Sequence, residues 1–319
     1  MNDGRKYTVD ADCTLMDYLQ RKCNGESRTR IKSYLTRGQV TVNGRNITAF
    51  DHQLHKGDTL VILQHGTRFK KHSGEVDTRV RIVYEDEHLI VAEKRHAVLT
   101  ISTGKEGEAT AYSILTDYVR RQARRNGTGQ KGTKPGIFIV HRLDRDTSGL
   151  VIFAKDQKTQ ERLQDGWNDN IIERKYTAVL EGRLPETEGT YVSWLKENPK
   201  SLKMTSSPVN NGGKKAVTHY RQIETSGNFS LVEFNLETGR KNQIRIHASE
   251  MGCPVTGDRK YGAKENPLGR MALHARSIAF RHPWTGKTVR FDTGIPRTFK
   301  LLFKQDNEGE GNPAKTASL

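Results

Sequence analysis

The segment His141–Gly149 reads HRLDRDTSG and lies between GIFIV, residues 136–140, and LVIFAK, residues 150–155. Short, almost purely apolar runs of this kind are what buried strands look like. The segment between them carries two arginines, two aspartates and a histidine. A carboxylate held between pieces of core is costly unless a cation or hydrogen-bond donors meet it, so a partner elsewhere in the chain is expected. On this stretch alone, a structural turn and a catalytic site are equally good readings.

A second stretch changes the balance. LVEFNLETGRKNQIRIHASEMGCPVTGDRKYGA, residues 231–263, opens as a strand with Leu231, Phe234 and Leu236 and turns at Thr238-Gly239. It continues as a helix with Ile244, Ala248 and Met251 at i, i+4 and i+7 before Gly252 and Pro254 stop it. Arg245 sits beside that stripe, an always-charged group suited to a carboxylate. His247 reads as a packing or hydrogen-bonding residue.

The rest of the chain sets limits. Its 319 residues are enough for one large domain and a small one, and 53 basic against 37 acidic residues leave a formal charge of +16. The natural partner is a polyanion, and nucleic acid is preferred to membrane because no apolar run approaches a spanning length. The N-terminus MNDGRKYTVDADCTL lacks the apolar core of a secretory signal, which points to the cytoplasm. Cys13, Cys23 and Cys253 are scattered, without metal-ligand spacing. GTGQKGTK, within the basic run 119–134, has Gly132, Thr133 and Lys134 in the wrong order for a nucleotide-phosphate loop. A basic loop meeting RNA backbone, or a plain solvated loop, remains for it.

Residues 1–65 form a unit of their own. Thr14 and Asp17 fit a capping box ahead of Leu15 and Leu19, and Ser27 can cap a second helix, SRTRIKSYLTRG, with Ile31 and Leu35 on its apolar side. Val40, Val42 and Ile47 flank an Asn43-Gly44 hairpin turn. The bland reading is a solvated small domain. The run SRTRIKSYLTRGQVTVNG with KGDTLVI, however, resembles the S4 type of RNA-binding domain, which implies that Arg28, Lys32 and Arg37 meet phosphates. Residues 66–79 read as a linker, 80–304 as the larger domain, and 305–319 as a disordered tail.

HRLDRDTSG, ERKYTAVLEG (173–182), KAVTHY (215–220), ETGRKNQIRIH (237–247), GDRKYG (257–262) and ALHARSIAFRHPWTG (272–286) together resemble the RluA family of pseudouridine synthases. The blocks occur in order over most of residues 80–303. The resemblance implies an α+β catalytic domain on a mixed, mainly antiparallel sheet, with the cleft where the Asp144 loop meets the turn from Gly239 to Arg245. It makes Asp144 the catalytic aspartate, Arg245 its paired arginine and Tyr176 the active-site tyrosine against the target base. Arg142 becomes an RNA contact near the extruded nucleotide and Ile244 a pocket residue, while Asp146 is a turn or surface charge. Lys214, Lys215 and Arg240 are candidate phosphate contacts, with a solvated role nearly as good for each. One block departs: in AEKRHAVLTIST (92–103) Lys94 is kept, but Arg95 replaces the family's proline and Ala97 stands where glycine is usual, which puts that loop's geometry in question.

The chemistry suits these residues. Breaking the bond from ribose C1′ to uracil N1 leaves an electron-poor anomeric carbon, which a carboxylate stabilises, as in glycoside hydrolysis. The uracil stays and rejoins through C5, so one aspartate suffices. Arg245 favours the ionised carboxylate Asp144 needs. Attack at C1′, attack on the ring and assistance to C2′ proton loss all remain open for it. The uridine must be flipped out of its stack, and Tyr176 offers a flat surface and a phenol able to join in removing the C5 proton. No metal, redox carrier or phosphate donor is required. The expected partner is 23S-type ribosomal RNA or a ribosome-assembly intermediate, met by a monomer. A transfer RNA enzyme, a non-catalytic RNA-binding factor and a glycosidase acting on free nucleosides are the competing readings.

Overall fold

The computed structural model describes residues 5–36, 40–43, 45–47, 49–62, 77–104, 108–126, 135–199 and 203–303. Arg37, Gly38, Gly44, most of the expected linker, the loop at 127–134 and the C-terminal tail lie outside these. The chain divides into two compact units, Met1–Glu75 and Val76–Leu319.

The first unit contains β1 (Arg5–Thr8), β2 (Cys13–Thr14), α1 (Leu15–Lys22), α2 (Arg28–Thr36), β3 (Val40–Val42), β4 (Arg45–Asn46), β5 (Gln53–Leu54) and β6 (Thr59–Ile62). Thr14 Oγ1 accepts a hydrogen bond from the Asp17 amide at 3.3 Å and donates to the Asp17 carboxylate at 2.6 Å, which starts α1. Ser27 Oγ accepts from the Arg30 amide in the same way for α2. Leu15, Leu19, Ile31 and Leu35 are all buried in one core with Val40, Val42 and Leu60. Asn43 adopts φ 49°, as the hairpin turn demands. β1, which the sequence pattern did not mark, pairs with β6 and completes a four-stranded sheet of order β1-β6-β3-β4.

The second unit runs β7 (Val80–Glu85), β8 (Leu89–Lys94), α3 (Ala111–Asn126), β9 (Phe138–Ile139), β10 (Ser148–Ala154), α4 (Gln157–Asp165), α5 (Trp167–Asn170) and β11 (Ile171–Glu181). It continues through β12 (Glu188–Glu197), β13 (Met204–Ser207), β14 (Lys214–Ser226), β15 (Phe229–Leu236), α6 (Gln243–Glu250), β16 (Leu273–Arg281), β17 (Thr288–Asp292) and α7 (Arg297–Leu301). Its sheet has the order β13-β12-β14-β15-β11-β16-β10-β8-β7, with β9 added to β10 and β17 to β16. Among the described pairings only β10 with β16 is parallel, so the sheet is mixed and mainly antiparallel.

LVIFAK belongs to a strand buried along its whole length, β10. GIFIV forms only the two-residue β9, because it meets no more than the far end of β10, Phe153 and Ala154, before the chain leaves the sheet. Ile137 and Val140 are buried nonetheless, so the charged segment does begin and end in core. Gly149 closes that segment at φ 118°, where a Cβ would come within 2.2 Å of the Ala275 carbonyl oxygen. The parallel junction of β10 with β16 therefore requires glycine there.

Candidate active site

The loop between β9 and β10 is held from both sides by the last residue of β8 and the chain that follows it. Thr100 Oγ1 donates to the Leu143 carbonyl at 2.9 Å and accepts from the Leu143 amide at 3.1 Å. On the far side of Asp144, the fully buried Lys94 Nζ donates to the carbonyls of Arg145 and Thr147 at 3.1 and 2.6 Å and to those of Arg95 and Val98. Burial pushes its ammonium down to about 7, against the attraction of Asp146 and Asp144. The block that departs from the family pattern thus keeps a defined geometry. Ala97 takes φ 60°, the left-handed backbone that glycine adopts without strain.

The other charges of HRLDRDTSG separate by role. His141 Nε2 accepts from the Ile152 amide at 3.1 Å, and burial, with Arg174 nearby, lowers its pKa to about 3, so it is a neutral structural ring. Arg145 and Asp146 pair with each other at 3.2 Å near solvent. Asp144 alone turns toward Arg245, whose Nη1 lies 3.7 Å from its Oδ2.

That distance marks a loose ion pair, and here the structure departs from the simple expectation that Arg245 belongs to Asp144. The tight partner of Arg245 is Asp258, buried to 3 % exposure, which takes Nε at 2.6 Å and Nη2 at 2.8 Å in a bidentate pair. Nη1 also donates to Asn242 Oδ1 at 2.8 Å, and the guanidinium carbon lies 4.8 Å from the Tyr261 ring centre. Burial works to lower the arginine's pKa, but Asp258 first and Asp144 after it hold it above its ordinary value. Asn242 ties the cluster together, since its Nδ2 donates to Tyr261 Oη at 3.0 Å from a left-handed backbone position. The turn ahead of α6 is fixed by Gln243, whose Oε1 accepts from the Arg240 amide and from Thr238 Oγ1. Sequence reasoning missed Asp258, Asn242 and Tyr261; GDRKYG holds two of them, but its mixed charge gave no sign of which acid would be buried.

These elements bound one cleft of about 510 Å³. Arg142, Asp144, Tyr176, Arg240, Ile244 and Arg245 all line it, as do Trp167, Arg174 and Lys241. Burial raises the Tyr176 phenol to about 12, with Arg174 opposing and Asp144 adding to the shift. Glu197 is the other carboxylate on the lining, and it is bound by Lys241. Lys214 and Lys215 are exposed at the start of β14 and do not line the cleft, although Arg240 Nε donates to the Lys215 carbonyl. Arg28 and Lys32 are exposed on α2 in the first unit, and Arg37 lies outside the described residues. His247 is fully buried between Ser193 and Thr218, a packing residue.

Comparison with known proteins agrees with this architecture. Residues 88–250 match the family described as RNA pseudouridylate synthase. The chain is 31% identical over 270 residues to the uncharacterized RNA pseudouridine synthase YjbO of Bacillus subtilis, covering 85% of this chain and 91% of that one. It is 35% identical over 242 residues to ribosomal large subunit pseudouridine synthase D of Zymomonas mobilis, covering 73% and 74%. In fold it is similar to human RNA pseudouridylate synthase domain containing 4, with a TM-score of 0.55, 22% identity, and coverage of 69% of this chain and 90% of that one.

The mixed sheet, together with these similarities, defines an RNA-modifying isomerase. The chain belongs to the RNA pseudouridine synthases, within the RluA family.

Proposed function

We propose that this enzyme converts specific uridines of large-subunit ribosomal RNA to pseudouridine in the cytoplasm, with Asp144 as its catalytic carboxylate. The observation that carries the reading is the meeting of Asp144, the Arg245 guanidinium 3.7 Å away, Tyr176 and Ile244 around one cleft. About 510 Å³ is room for one extruded nucleotide. Relatives named for the ribosomal large subunit favour that substrate.

As the glycosidic bond loosens, positive charge grows at the anomeric carbon and the Asp144 carboxylate stabilises it. Arg245 steadies the carboxylate, and it keeps its own place because Asp258 and Asn242 hold the guanidinium whatever charge Asp144 carries during turnover. Tyr176 and Ile244 form the walls against which the flipped uracil lies and turns. Arg142, exposed at the rim, meets RNA beside the extruded nucleotide. The first unit serves as an S4-type RNA-binding domain in which Arg28, Lys32 and Arg37 contact phosphates, joined by Lys214, Lys215 and Arg240 near the cleft.

The test is a pseudouridine map of total RNA from cells lacking the gene, complemented with the intact protein or with Asp144→Asn. Large-subunit sites that return only with the intact protein support both substrate and residue. Return with Asp144→Asn sinks the assignment of that residue, sites confined to transfer RNA replace the substrate, and release of free uracil points to a glycosidase.

A further inference from the structure

Beside the cleft lies a second hollow of about 230 Å³ that shares Trp167, Arg174 and Leu236 with it. Ile172, His219, Asn235 and Glu237 line only the second space. Ile172 is 50% exposed, an apolar side chain left in water at the start of β11. Trp167, Ile171 and Ile172 give the hollow an apolar side, while Glu173, His219 and Asn235 bring hydrogen-bonding groups to it, a mixed lining that suits a heterocycle with hydrogen-bonding edges.

Arg174 stands on the wall between the two spaces. Its Nη2 donates to the carbonyls of Leu236 and Glu237 at 3.3 and 2.8 Å, and its guanidinium carbon lies 6.0 Å from the Trp167 ring centre. Among the described residues no carboxylate is ion-paired with it, and burial lowers its pKa with Arg240 adding to the fall. The backbone makes space for it: a Cβ on Gly239 would meet Arg174 Nη1 at 2.7 Å. A largely buried cation without a counter-anion is costly in isolation and becomes favourable when an anion arrives. The substrate is a polyanion, and its phosphates alternate with its bases.

We propose that the second hollow receives the base of a nucleotide adjoining the flipped uridine, with the phosphate that joins the two resting on Arg174. This rests on the reading of the first cleft as the uridine site. Glu237 at the margin of the hollow disfavours a phosphate inside it, so the base enters and the phosphate stays at the wall. The subsite thereby contributes to the choice of uridine through its neighbour.

The test uses the full-length protein with unmodified large-subunit ribosomal RNA transcript and a synthetic fragment around the uridine it converts. The fragment is made intact, with an abasic residue on the 5′ side, and with one on the 3′ side. Loss of a stacked base is expected to lower kcat/KM about tenfold on one side only. Asn235→Trp, which fills the hollow from an exposed strand position, is expected to bring the intact fragment down to the abasic level and to leave the abasic fragment little changed. Asn235→Ala, which leaves the space open, keeps the tenfold preference. A neutral methylphosphonate at the joining phosphate is expected to slow the intact protein about tenfold and Arg174→Gln hardly further. Wild-type rates indifferent to either abasic position, or Asn235→Trp slowing intact and abasic fragments equally, overturn the subsite while the uridine cleft stands. Failure to convert the transcript at all overturns the functional reading, and the subsite with it.

Discussion

Arg245 is shared between a buried carboxylate that fixes it and a more exposed one that meets it loosely. Asp258 takes two of its nitrogens in a bidentate pair, whereas Asp144 stands 3.7 Å off, at a distance where attraction persists without a locking hydrogen bond. A guanidinium held only by Asp144 would follow any movement of that carboxylate; one held by Asp258 and Asn242 stays. Asp258→Asn removes the charge that balances a largely buried cation, and breaking such a pair costs about 3 kcal/mol. Turnover should fall on the order of 100-fold as the guanidinium is drawn onto Asp144. Urea unfolding and single-turnover conversion measure the two effects separately; an unchanged rate in a folded Asp258→Asn protein would mean that Asp144 alone positions Arg245. Charge between two apolar runs implied that some counter-charge would meet the carboxylates of HRLDRDTSG, whereas singling out Asp144 and Arg245 rested on the family resemblance. Asp258 was not, because GDRKYG carries an acid between basic residues and spacing alone does not reveal that this acid is nearly buried. Arg174 was equally hidden: its significance is that among the described residues no carboxylate is ion-paired with it, which only the packing of β11 against the Gly239 turn discloses.

The β7–β8 hairpin shows how one side chain can set an element. Asp86 Oδ1 accepts from the amides of His88 and Leu89 at 2.7 and 2.8 Å, while Oδ2 accepts from Tyr84 Oη and meets His282 Nε2 at 2.8 Å. Burial alone would raise its pKa, but His282, Tyr84 and the two amides outweigh it and hold the carboxyl well below the ordinary range. A carboxyl depressed by folding contributes stability that is present above its unfolded pKa, near 4, and is lost as pH falls below that value. Asp86→Asn should therefore cost about 2 kcal/mol at pH 7, with the gap from wild type narrowing toward pH 3 in urea unfolding. A gap that is constant with pH would assign the loss to packing. The loop after β8 offers the opposite sign: Ala97→Gly relieves a left-handed backbone and should stabilise by about 1 kcal/mol, whereas Gly149→Ala drives a methyl group onto the Ala275 carbonyl and should cost more than about 3 kcal/mol. Thermal unfolding of both variants checks the pair. Strands and helices with a clean apolar period, such as β10, α1 and α6, were readable from the sequence. β1 was not, because RKYT has too little pattern to stand out, and its pairing with β6 depends on residues more than fifty positions away. β9 fell short of the expected strand because its length is set by the end of β10.

At the scale of the molecule, charge governs how the enzyme meets its substrate. A net +16 favours attraction to RNA phosphates, an attraction that carries little sequence information. Each phosphate neutralised releases counterions, so binding weakens with salt at a slope proportional to the number of contacts, about 0.7 to 0.9 per phosphate. If the first unit is the S4-type platform, replacing Arg28, Lys32 and Arg37 together by glutamine should make the slope of log K against log salt shallower by about 2 to 3. The rate of conversion by saturated enzyme should be unchanged, since Arg28 and Lys32 do not line the cleft. Filter binding across a salt series, with single-turnover rates at saturating RNA, reads both quantities on one preparation. An unaltered slope would remove the first unit from the phosphate contacts and leave Lys214, Lys215 and Arg240 to carry the attraction. A shallower slope with a slower saturated rate would mean that the first unit orients the uridine as well as holding the strand, so that recognition and catalysis are coupled through the RNA itself.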